Sequence, residues 1–252
     1  KEIIEPPEEI KALTPRWFLR DSNYSPDFAV SGEKAAWFLQ KSKGPSVDSV
    51  IAIDQTVLED LLSITGPVYV PSSQNFMTRE NFQIVFSYII ESKLTGHENP
   101  KAILAEFMPL FQKQLFERAK ITDLAKVFDK AIRERHLMGY SRETDVEALF
   151  RALDADSTYT PARTKNEDFL QIVHTNIGGN KSDNFIQEKL THYTFVKRNG
   201  EVEDVLTIEK THTWDATTTR ALHQILNSFG FADVPVEIKD ILGRGKNVTN
   251  TR

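Results

Sequence analysis

The chain has 252 residues, with 31 Lys and Arg against 36 Asp and Glu, a formal net charge of −5 at pH 7, and no cysteine. Lack of cysteine excludes disulfides, thiolate metal sites, iron–sulfur clusters and a cysteine nucleophile. The acidic balance gives no overall positive field for nucleic acid, so no nucleic-acid partner is expected. Apolar runs such as residues 50–53 are far shorter than the ~20 residues that span a bilayer.

The first 75 residues alternate between helical and strand-like patterns. Ser25 precedes an amphipathic run and is predicted to cap a helix, which Gly44 and Pro45 end. β-branched residues on both sides of a second helical run predict two strands, and this order favours a parallel crossover connection. The predicted elements are a helix at 26–41, a buried strand at 47–53, a helix around 57–62 and a strand at 68–70.

Apolar residues at helical spacing dominate the middle of the chain. Phe82, Val85, Phe86 and Ile89 recur at intervals of three and four residues, which places them on one helical face. The pattern returns further on, and the polar stretch at 154–167 is predicted to be a surface loop or linker. The predicted helices are one that begins after Thr78, followed by 101–118, 121–137 and 143–153.

The last third of the chain changes to a strand period. Asn199-Gly200 is a strong hairpin signal, because both positions of the expected turn need a positive φ. It predicts a long antiparallel hairpin with arms at 185–198 and 201–213. A strand at 168–174 precedes the hairpin, and helices at 217–229 and 235–242 follow it.

This order predicts a single mixed α/β (α+β) domain over residues 1–252. We expect a central mixed sheet with a parallel strand–helix–strand unit, a helical middle layer and a long antiparallel hairpin. The sub-parts are 1–75 (α/β), 76–165 (helical) and 166–252 (hairpin plus helices). Because the chain begins with Lys1, we expect it to be a fragment of a longer protein.

Several motifs resemble known sites but lack a required residue. Residues 178–182 contain the lysine of a phosphate-binding loop, but Asn180 stands where glycine is needed. The six histidines include no pair at i, i+4 spacing, which would place two zinc ligands on one helical face. The sequence therefore predicts neither a nucleotide site nor a zinc site.

The densest polar and aromatic stretch is residues 20–28. Arg20 offers a forked donor for phosphate, and Asp21 and Asp27 offer carboxylates that suit Mg²⁺. The alternative is a helix-entry loop, in which Ser25 caps the helix, Asp27 favours the helix dipole and Arg20 pairs with a carboxylate. The residues alone leave both interpretations open.

Motifs spread over nearly the whole chain resemble the bacterial domain-of-unknown-function 4012 family. The matching stretches, in family order, are residues 20–28, 47–54, 65–68, 78–81, 174–183 and 241–248. Members of that family typically carry an N-terminal membrane anchor and an extracytoplasmic domain, often in cell-envelope or exopolysaccharide contexts, and no activity is established for them. The resemblance implies an extracytoplasmic location, anchored in the cytoplasmic membrane by a segment not in this chain. The family domain also has an earlier glycine-rich segment and a strand after residues 243–245, and we expect this chain to lack both.

A more distant similarity is to the LytR-CpsA-Psr transferases, which transfer polyprenyl-pyrophosphate-linked glycopolymers to the wall. Arg20-Asp21 resembles their arginine-aspartate motif, and the strand, helix and Gly66-Pro67 that follow resemble the next element of those proteins. This likeness implies a glycopolymer phosphotransferase with Arg20 as pyrophosphate clamp and Asp21 as the ligand of Mg²⁺. Asn23 and Asp27 are the neighbouring candidates for ligand binding. The hypothesis expects a long apolar groove lined by the helices between residues 78 and 137, with Arg20 at its mouth.

Two other functions compete with the transferase. One is a non-catalytic envelope scaffold or interaction domain, which presents the hairpin and the helical middle to a protein or glycan partner and exposes an apolar or aromatic patch. The other is a small-ligand module in which Asn176, Lys181 and Asp183 share one pocket. Oligomeric state and substrate stay open at this point.

Overall fold

The computed structural model describes residues 4–8, 11, 14–91, 102–158, 169–176, 181–243 and 249–251. It is mixed α/β, as predicted. The helices are α1 Phe28–Lys41, α2 Gln55–Thr65, α3 Arg79–Glu91, α4 Ala102–Arg118, α5 Ile121–Arg133, α6 Thr144–Ala152, α7 Ala216–Leu226 and α8 Val236–Lys239. The strands are β1 Ser49–Ile53, β2 Val68–Val70, β3 Asn75–Met77, β4 Leu137–Ser141, β5 His174–Asn176, β6 Ile186–Val196, β7 Val202–His212 and β8 Thr249–Thr251.

Contacts within the chain divide it into two units. The first comprises Lys1–Gln83, Ala102–Ile177 and Thr249–Arg252, and the second comprises Ile84–Lys101 and Gly178–Val248. The division falls inside α3, after Gln83. The single domain over residues 1–252 stays a prediction.

The strands of the first unit pair differently from the prediction. β1 pairs antiparallel with β4, with Ile51 opposite Gly139, and β2 pairs antiparallel with β3. All strands in the described part of the chain belong to two-stranded antiparallel pairs. The predicted central mixed sheet with a parallel strand–helix–strand unit is therefore wrong, because β3 and β4 supply partners that the sequence analysis did not detect.

Residues 137–141 explain the error. The sequence pattern places the start of this segment at the end of a helix, and the segment contains no β-branched residue that would favour a strand. The pattern also predicts a buried β1, yet the side chains of Ile51 and Ile53 are 62% and 54% exposed. The continuous apolar run of β1 thus reflects a half-open ribbon rather than the interior of a parallel sheet.

Two glycines let helices approach the β1–β4 ribbon from opposite sides. A Cβ at Gly32 of α1 would lie 2.7 Å from Tyr140 Cβ, and a Cβ at Gly139 would lie 2.5 Å from the ring of Phe150 in α6. Neighbouring residues of a strand face opposite sides. Because Gly139 and Tyr140 are adjacent in β4, α1 and α6 pack against opposite faces of β4, and the part of β1 that holds Ile51 and Ile53 stays open.

Asp27, rather than the predicted Ser25, caps α1. The Asp27 carboxylate accepts a hydrogen bond from Ala29 N at 2.9 Å. Ser25 lies one step outside the helix, where its hydroxyl accepts from Asp27 N at 3.2 Å and its carbonyl accepts from the Ser31 hydroxyl at 3.1 Å. Both residues stabilise the entry of the helix, but only Asp27 satisfies an amide of the first turn.

The core of the first unit lies between β2, α2, α4 and α5. The Phe107 ring stacks on Phe111 at 5.5 Å and meets Phe82 at 5.7 Å. Gln114 of α4 donates to the carbonyls of residues 65–67, which joins α4 to the turn between α2 and β2. Fully buried side chains in this core include Val57, Val68, Val70, Met77, Phe82 and Phe107.

The second unit contains the predicted hairpin, with arms β6 and β7 in a continuous antiparallel register. Its turn differs from the expected type. Lys197 N donates to Glu201 O and Gly200 N to Lys197 O, and Gly200 alone in this turn has a positive φ, at 82°. A longer loop that ends in one left-handed glycine is the next commonest hairpin connection.

A separate apolar cluster anchors the second unit. Tyr88, Leu222, Leu226, Val234 and Leu242 are buried together. The indole of Trp214 fits against Gly243, where a Cβ would lie 2.1 Å from the ring, so any larger residue there displaces the tryptophan. The predicted strand at 168–174 overlaps the observed β5 only at His174, and Asp168 lies outside the described residues. Among the helices that the structure describes, none combines the length and apolarity needed to cross a membrane.

We expect Gly32→Ala to destabilise the protein, although alanine is the better helix former. The propensity gain is at most ~1 kcal/mol. Overlap with Tyr140 Cβ, an atom fixed to the strand backbone, costs roughly 1–3 kcal/mol when a core is overpacked. Chemical denaturation measures the difference. Val30→Ala, at a position of the same helix that is 52% exposed, should change stability by less than ~0.5 kcal/mol, and equal effects of the two variants would contradict the packing argument.

Candidate functional site

Arg20 and Asp21 lie in a short 3-10 turn, Leu19–Asp21, just before α1. Arg20 Nε is 3.6 Å from Asp21 Oδ1, and the guanidinium lies over the Phe18 ring at 4.7 Å. The Arg20 side chain is 74% exposed. Trp17 Nε1 donates to the Asp21 carbonyl at 2.9 Å, which ties the turn to the preceding segment. Arg20 thus pairs with a carboxylate in the loop that leads into α1, as the alternative to a phosphate site predicts.

One oxygen of Asp21 is not accounted for by this arrangement. Asp21 Oδ2 is buried and has no hydrogen-bond partner among the described residues. Buried carboxylate oxygens are normally satisfied by a donor or a cation. However, no group of three or more His, Asp or Glu side chains in the described ranges converges to hold a metal ion, so Mg²⁺ at Asp21 would depend on ligands that substrate or water supplies.

The other candidates near Arg20 have different environments. Asn23 is exposed in the turn that follows the 3-10 segment. Asp27 accepts a backbone hydrogen bond as the cap of α1, which uses one of its carboxylate oxygens. Asp27 therefore has a structural role that by itself accounts for an aspartate at this position.

The third set of candidates, Asn176, Lys181 and Asp183, is only partly described. The side chain of Asn176 lies outside the described residues. Lys181 Nζ is 3.9 Å from Glu91 Oε1, and Asp183 lies in the 3-10 segment Ser182–Phe185. Asp183 Oδ1 is buried without a hydrogen-bond partner among the described residues. A shared pocket for the three residues stays a prediction.

The structure brings together a charged network that sequence analysis missed. Asp60 of α2, with a side chain 9% exposed, accepts from Lys130 Nζ of α5 at 2.7 Å and pairs with Arg79 Nη2 of α3 at 3.1 Å. The hydrogen bond to Asp60 raises the pKa of Lys130. One buried carboxylate thus links three helices, and removing it would leave two cations facing each other.

The network continues at the end of β1. His136 Nδ1 is 2.6 Å from Asp54 Oδ2, and His136 Nε2 is 3.6 Å from Glu134 Oε2. Asp54 also caps α2 through Thr56 N at 2.9 Å. Both ring nitrogens of His136 thus face carboxylates, and these contacts hold the residue that precedes β4 beside the end of β1. No local signal joins His136 to Asp54, since the two residues are 82 positions apart in sequence.

Glu59 lies beside this network, and its partial burial disfavours the ionised form of its carboxyl group. Desolvation is the largest effect on Glu59 and raises its pKa, and the nearby Arg79 only partly offsets it. Glu59 Oε1 is buried and has no hydrogen-bond partner among the described residues. The ionised side chain therefore carries a cost in the folded state.

The β6–β7 hairpin presents an open surface of the second unit. The odd-numbered residues share one face, which we call the aromatic face and define by Thr191, Tyr193, Phe195, Glu203, Val205 and Thr207. The rings of Tyr193 and Phe195 are 57% and 55% exposed, 6.5 Å apart and within 25° of parallel. On the other face, Asp204 accepts from Thr194 Oγ1 at 2.6 Å and lies 2.8 Å from His192 Nε2.

We expect Glu59→Gln to raise the melting temperature at pH 7. The folded-state pKa of Glu59 is raised, so ionisation opposes folding above that pKa, and the cost disappears as pH falls through it and the carboxyl becomes protonated. The advantage of the glutamine variant should therefore shrink as pH falls. Thermal unfolding monitored by circular dichroism across the acidic range measures this difference.

Glu80→Gln is the matched control with the opposite sign. Hydrogen bonds from Thr78 and from the Glu80 backbone lower the pKa of Glu80, so its ionised form favours folding above the unfolded-state pKa, and this contribution is lost as pH falls. Its replacement should lower the melting temperature at pH 7. If both variants shift the melting temperature in the same direction, the assigned causes are wrong.

Comparison with known proteins gives one family match. No curated protein and no solved structure matches this chain. The likeness to LytR-CpsA-Psr transferases therefore stays a hypothesis. Residues 5–88 match the model of a family described as a protein of unknown function, DUF4012, a description that names no reaction. This match covers about a third of the chain, and it includes Arg20, Asp21, α1 and the segment from β1 to β2.

Proposed function

We propose that this chain is a non-catalytic interaction domain of the bacterial cell envelope that binds glycan through the aromatic face of the β6–β7 hairpin. The observation that carries the proposal is the pair of exposed, nearly parallel rings of Tyr193 and Phe195. Pyranose rings present flat apolar C–H faces that stack on such rings. The envelope location is part of the proposal and depends on the family resemblance.

The surroundings of the two rings support a sugar partner over a purely apolar one. Thr191 and Thr207 lie opposite each other across the strands, and Glu203 is opposite Phe195 on the same face. These groups donate and accept hydrogen bonds, which sugar hydroxyls require once they leave water. A protein partner that binds by apolar contact would not need these hydroxyl and carboxylate groups around the aromatic side chains.

The length and openness of the hairpin also favour binding. Both arms have eleven residues, and almost all of their side chains on both faces are exposed or half-exposed. A two-stranded hairpin without a packing partner is marginally stable in water. Contact with a ligand would bury apolar surface that the hairpin now exposes, which supplies a driving force for association.

Catalysis at Arg20 has weaker support. A guanidinium stabilises developing phosphate charge most effectively where water is excluded and the group is held in place. The Arg20 side chain is 74% exposed, and its contacts are a ring face and its neighbour Asp21. This geometry supports a surface role better than a clamp at the mouth of a closed channel.

The glycopolymer phosphotransferase is the second candidate, and the buried, unpartnered Asp21 Oδ2 favours it. In that function Asp21 would hold Mg²⁺ and Arg20 would bind pyrophosphate. A lipid-linked glycopolymer is the substrate class that this chemistry implies. The two functions separate experimentally, because the transferase requires Arg20 and Asp21 and the binding function requires the hairpin.

The test of the binding function replaces both rings, in Tyr193→Ser/Phe195→Ser. Aromatic contacts contribute ~1 kcal/mol each beyond buried area, so the Kd for glycan should rise roughly 30-fold. The probes are a tetramer of N-acetylglucosamine and a purified bacterial exopolysaccharide, with isothermal titration calorimetry for the first and co-sedimentation for the second. Unchanged affinity in the double variant, or no saturable binding of either probe by the wild-type chain, would overturn the proposal.

Tyr69→Ser/Phe76→Ser is the matched control. This cross-strand pair on β2 and β3 is also exposed, but its rings are tilted by 59° and share no plane for stacking. Its loss should leave glycan binding unchanged, as should Arg20→Ala. A loss of binding only in Arg20→Ala or Asp21→Asn would favour the transferase instead.

A further inference from the structure

The hydrogen bonds within the hairpin determine which backbone amides and carbonyls of β7 point outward, away from β6. Thr213 N donates to Phe185 O at 2.7 Å at one end of the hairpin, and Lys197 N donates to Glu201 O at 2.8 Å at the other. Hydrogen-bonded and non-hydrogen-bonded pairs alternate along an antiparallel ladder. The odd-numbered residues of β7 therefore direct their amides and carbonyls toward β6, and the even-numbered residues direct theirs outward. Along this edge the structure pairs no other described strand with β7.

We propose that β7 is a self-association edge, on which a second copy of this chain pairs its own β7 in antiparallel orientation about Thr207. In this register every even-numbered residue of one β7 faces an even-numbered residue of the other. The outward amides and carbonyls of both strands then meet, as a hydrogen-bonded ladder requires. Two hairpins become one four-stranded antiparallel sheet.

The charges along β7 are complementary in this register. Asp204 lies opposite Lys210 of the second copy, and by symmetry the pair occurs twice. Between these ion pairs, Leu206 lies opposite Ile208 of the second copy. Opposite charges and apolar pairs that lie directly across two strands both stabilise a sheet. The acidic residues Glu203 and Glu209 lie opposite Thr211 and Val205, so no like charges oppose each other.

Neighbouring registers are less favourable, which makes the pairing specific. Centring the contact on Leu206 places Glu203 directly opposite Glu209 of the second copy, and like charges at that position are destabilising. Centring it on Ile208 shortens the paired segment and places Leu206 opposite Lys210. The register about Thr207 uses the full strand and avoids both problems.

Asp204 and Lys210 already have partners within the hairpin, and the new pair adds to these contacts. Asp204 pairs with His192 and Lys210 with Glu188, at 2.8 Å and 3.4 Å. The side chains of Asp204 and Lys210 are each 32% exposed. An aspartate accepts several hydrogen bonds and a lysine donates three. Pairing also converts a two-stranded ribbon, which is marginally stable, into a four-stranded sheet. The aromatic face stays open in this sheet, so the inference does not depend on glycan binding.

A cysteine at the symmetry centre tests the register directly. The chain has no native cysteine, so Thr207→Cys introduces a single thiol. Residues that face each other as a non-hydrogen-bonded pair have Cα atoms ~4.5 Å apart, within the range for a disulfide. We expect most of this variant to form a covalent dimer under mild oxidation, as seen by non-reducing electrophoresis. Thr191→Cys, on the same face but one strand farther from the contact, should form little or none.

Paired charge reversals supply a second test. Recovery of association in the mixture of variants shows that neither substitution alone has destroyed the strand. Asp204→Lys places lysines opposite each other in a homodimer, and Lys210→Asp places aspartates opposite each other. Each variant alone should weaken self-association about tenfold or more in sedimentation velocity. An equimolar mixture of the two variants should recover a heterodimer, because the lysine introduced into one chain then faces the aspartate introduced into the other.

Three results would overturn the self-association edge. They are a wild-type chain that stays monomeric at millimolar concentration, equal crosslinking of the two cysteine variants, and a mixture of charge variants that fails to associate. Circular dichroism confirms that each variant is folded. Loss of glycan binding in the aromatic variant has no bearing on these outcomes, so the two proposals fail independently.

Discussion

The antiparallel pairing of β1 with β4 is the constraint on which the architecture of the first unit depends. It joins Ser49–Ile53 to Leu137–Ser141, and α2 to α5 lie between them in sequence. Pairing over such a distance closes a long loop of chain, which costs conformational entropy that local contacts alone do not offset. Close packing on both faces of the ribbon, at Gly32 and Gly139, stabilises the closed arrangement. Side chains at either glycine would hold a helix away from the strands.

Features with a local cause were predictable from the sequence. Helices with apolar residues at intervals of three and four, such as α3, were predicted within a few residues, and so was the hairpin around Gly200. Each depends on a pattern contained in the element itself. The cap of α1 shows the limit of such reasoning, because Ser25 and Asp27 are both good caps and only the backbone geometry selects Asp27.

The errors arose where tertiary contact decides the structure. β4 contains Leu137, Met138 and Gly139, none of which favours a strand, and it forms because β1 and two helices surround it. The sequence pattern makes β1 and β2 resemble neighbouring parallel strands, whereas each has an antiparallel partner that the pattern does not reveal. The same holds for the charged network, since Asp60, Arg79 and Lys130 are far apart in sequence and meet only in the folded unit.

The difference between the charged network and the hairpin explains why the hairpin is the better candidate for function. In the network, Arg79 and Lys130 already engage the Asp60 carboxylate across three helices, so that carboxylate is not available to an external ligand. In the hairpin, the rings of Tyr193 and Phe195 lie nearly parallel to each other, and both residues are more than half exposed. A chain that buries Phe82 and Phe107 completely within one unit, and Tyr88 within the other, has core positions for aromatic residues. Exposed rings on a ribbon with little to bury them are therefore better explained by a partner than by folding.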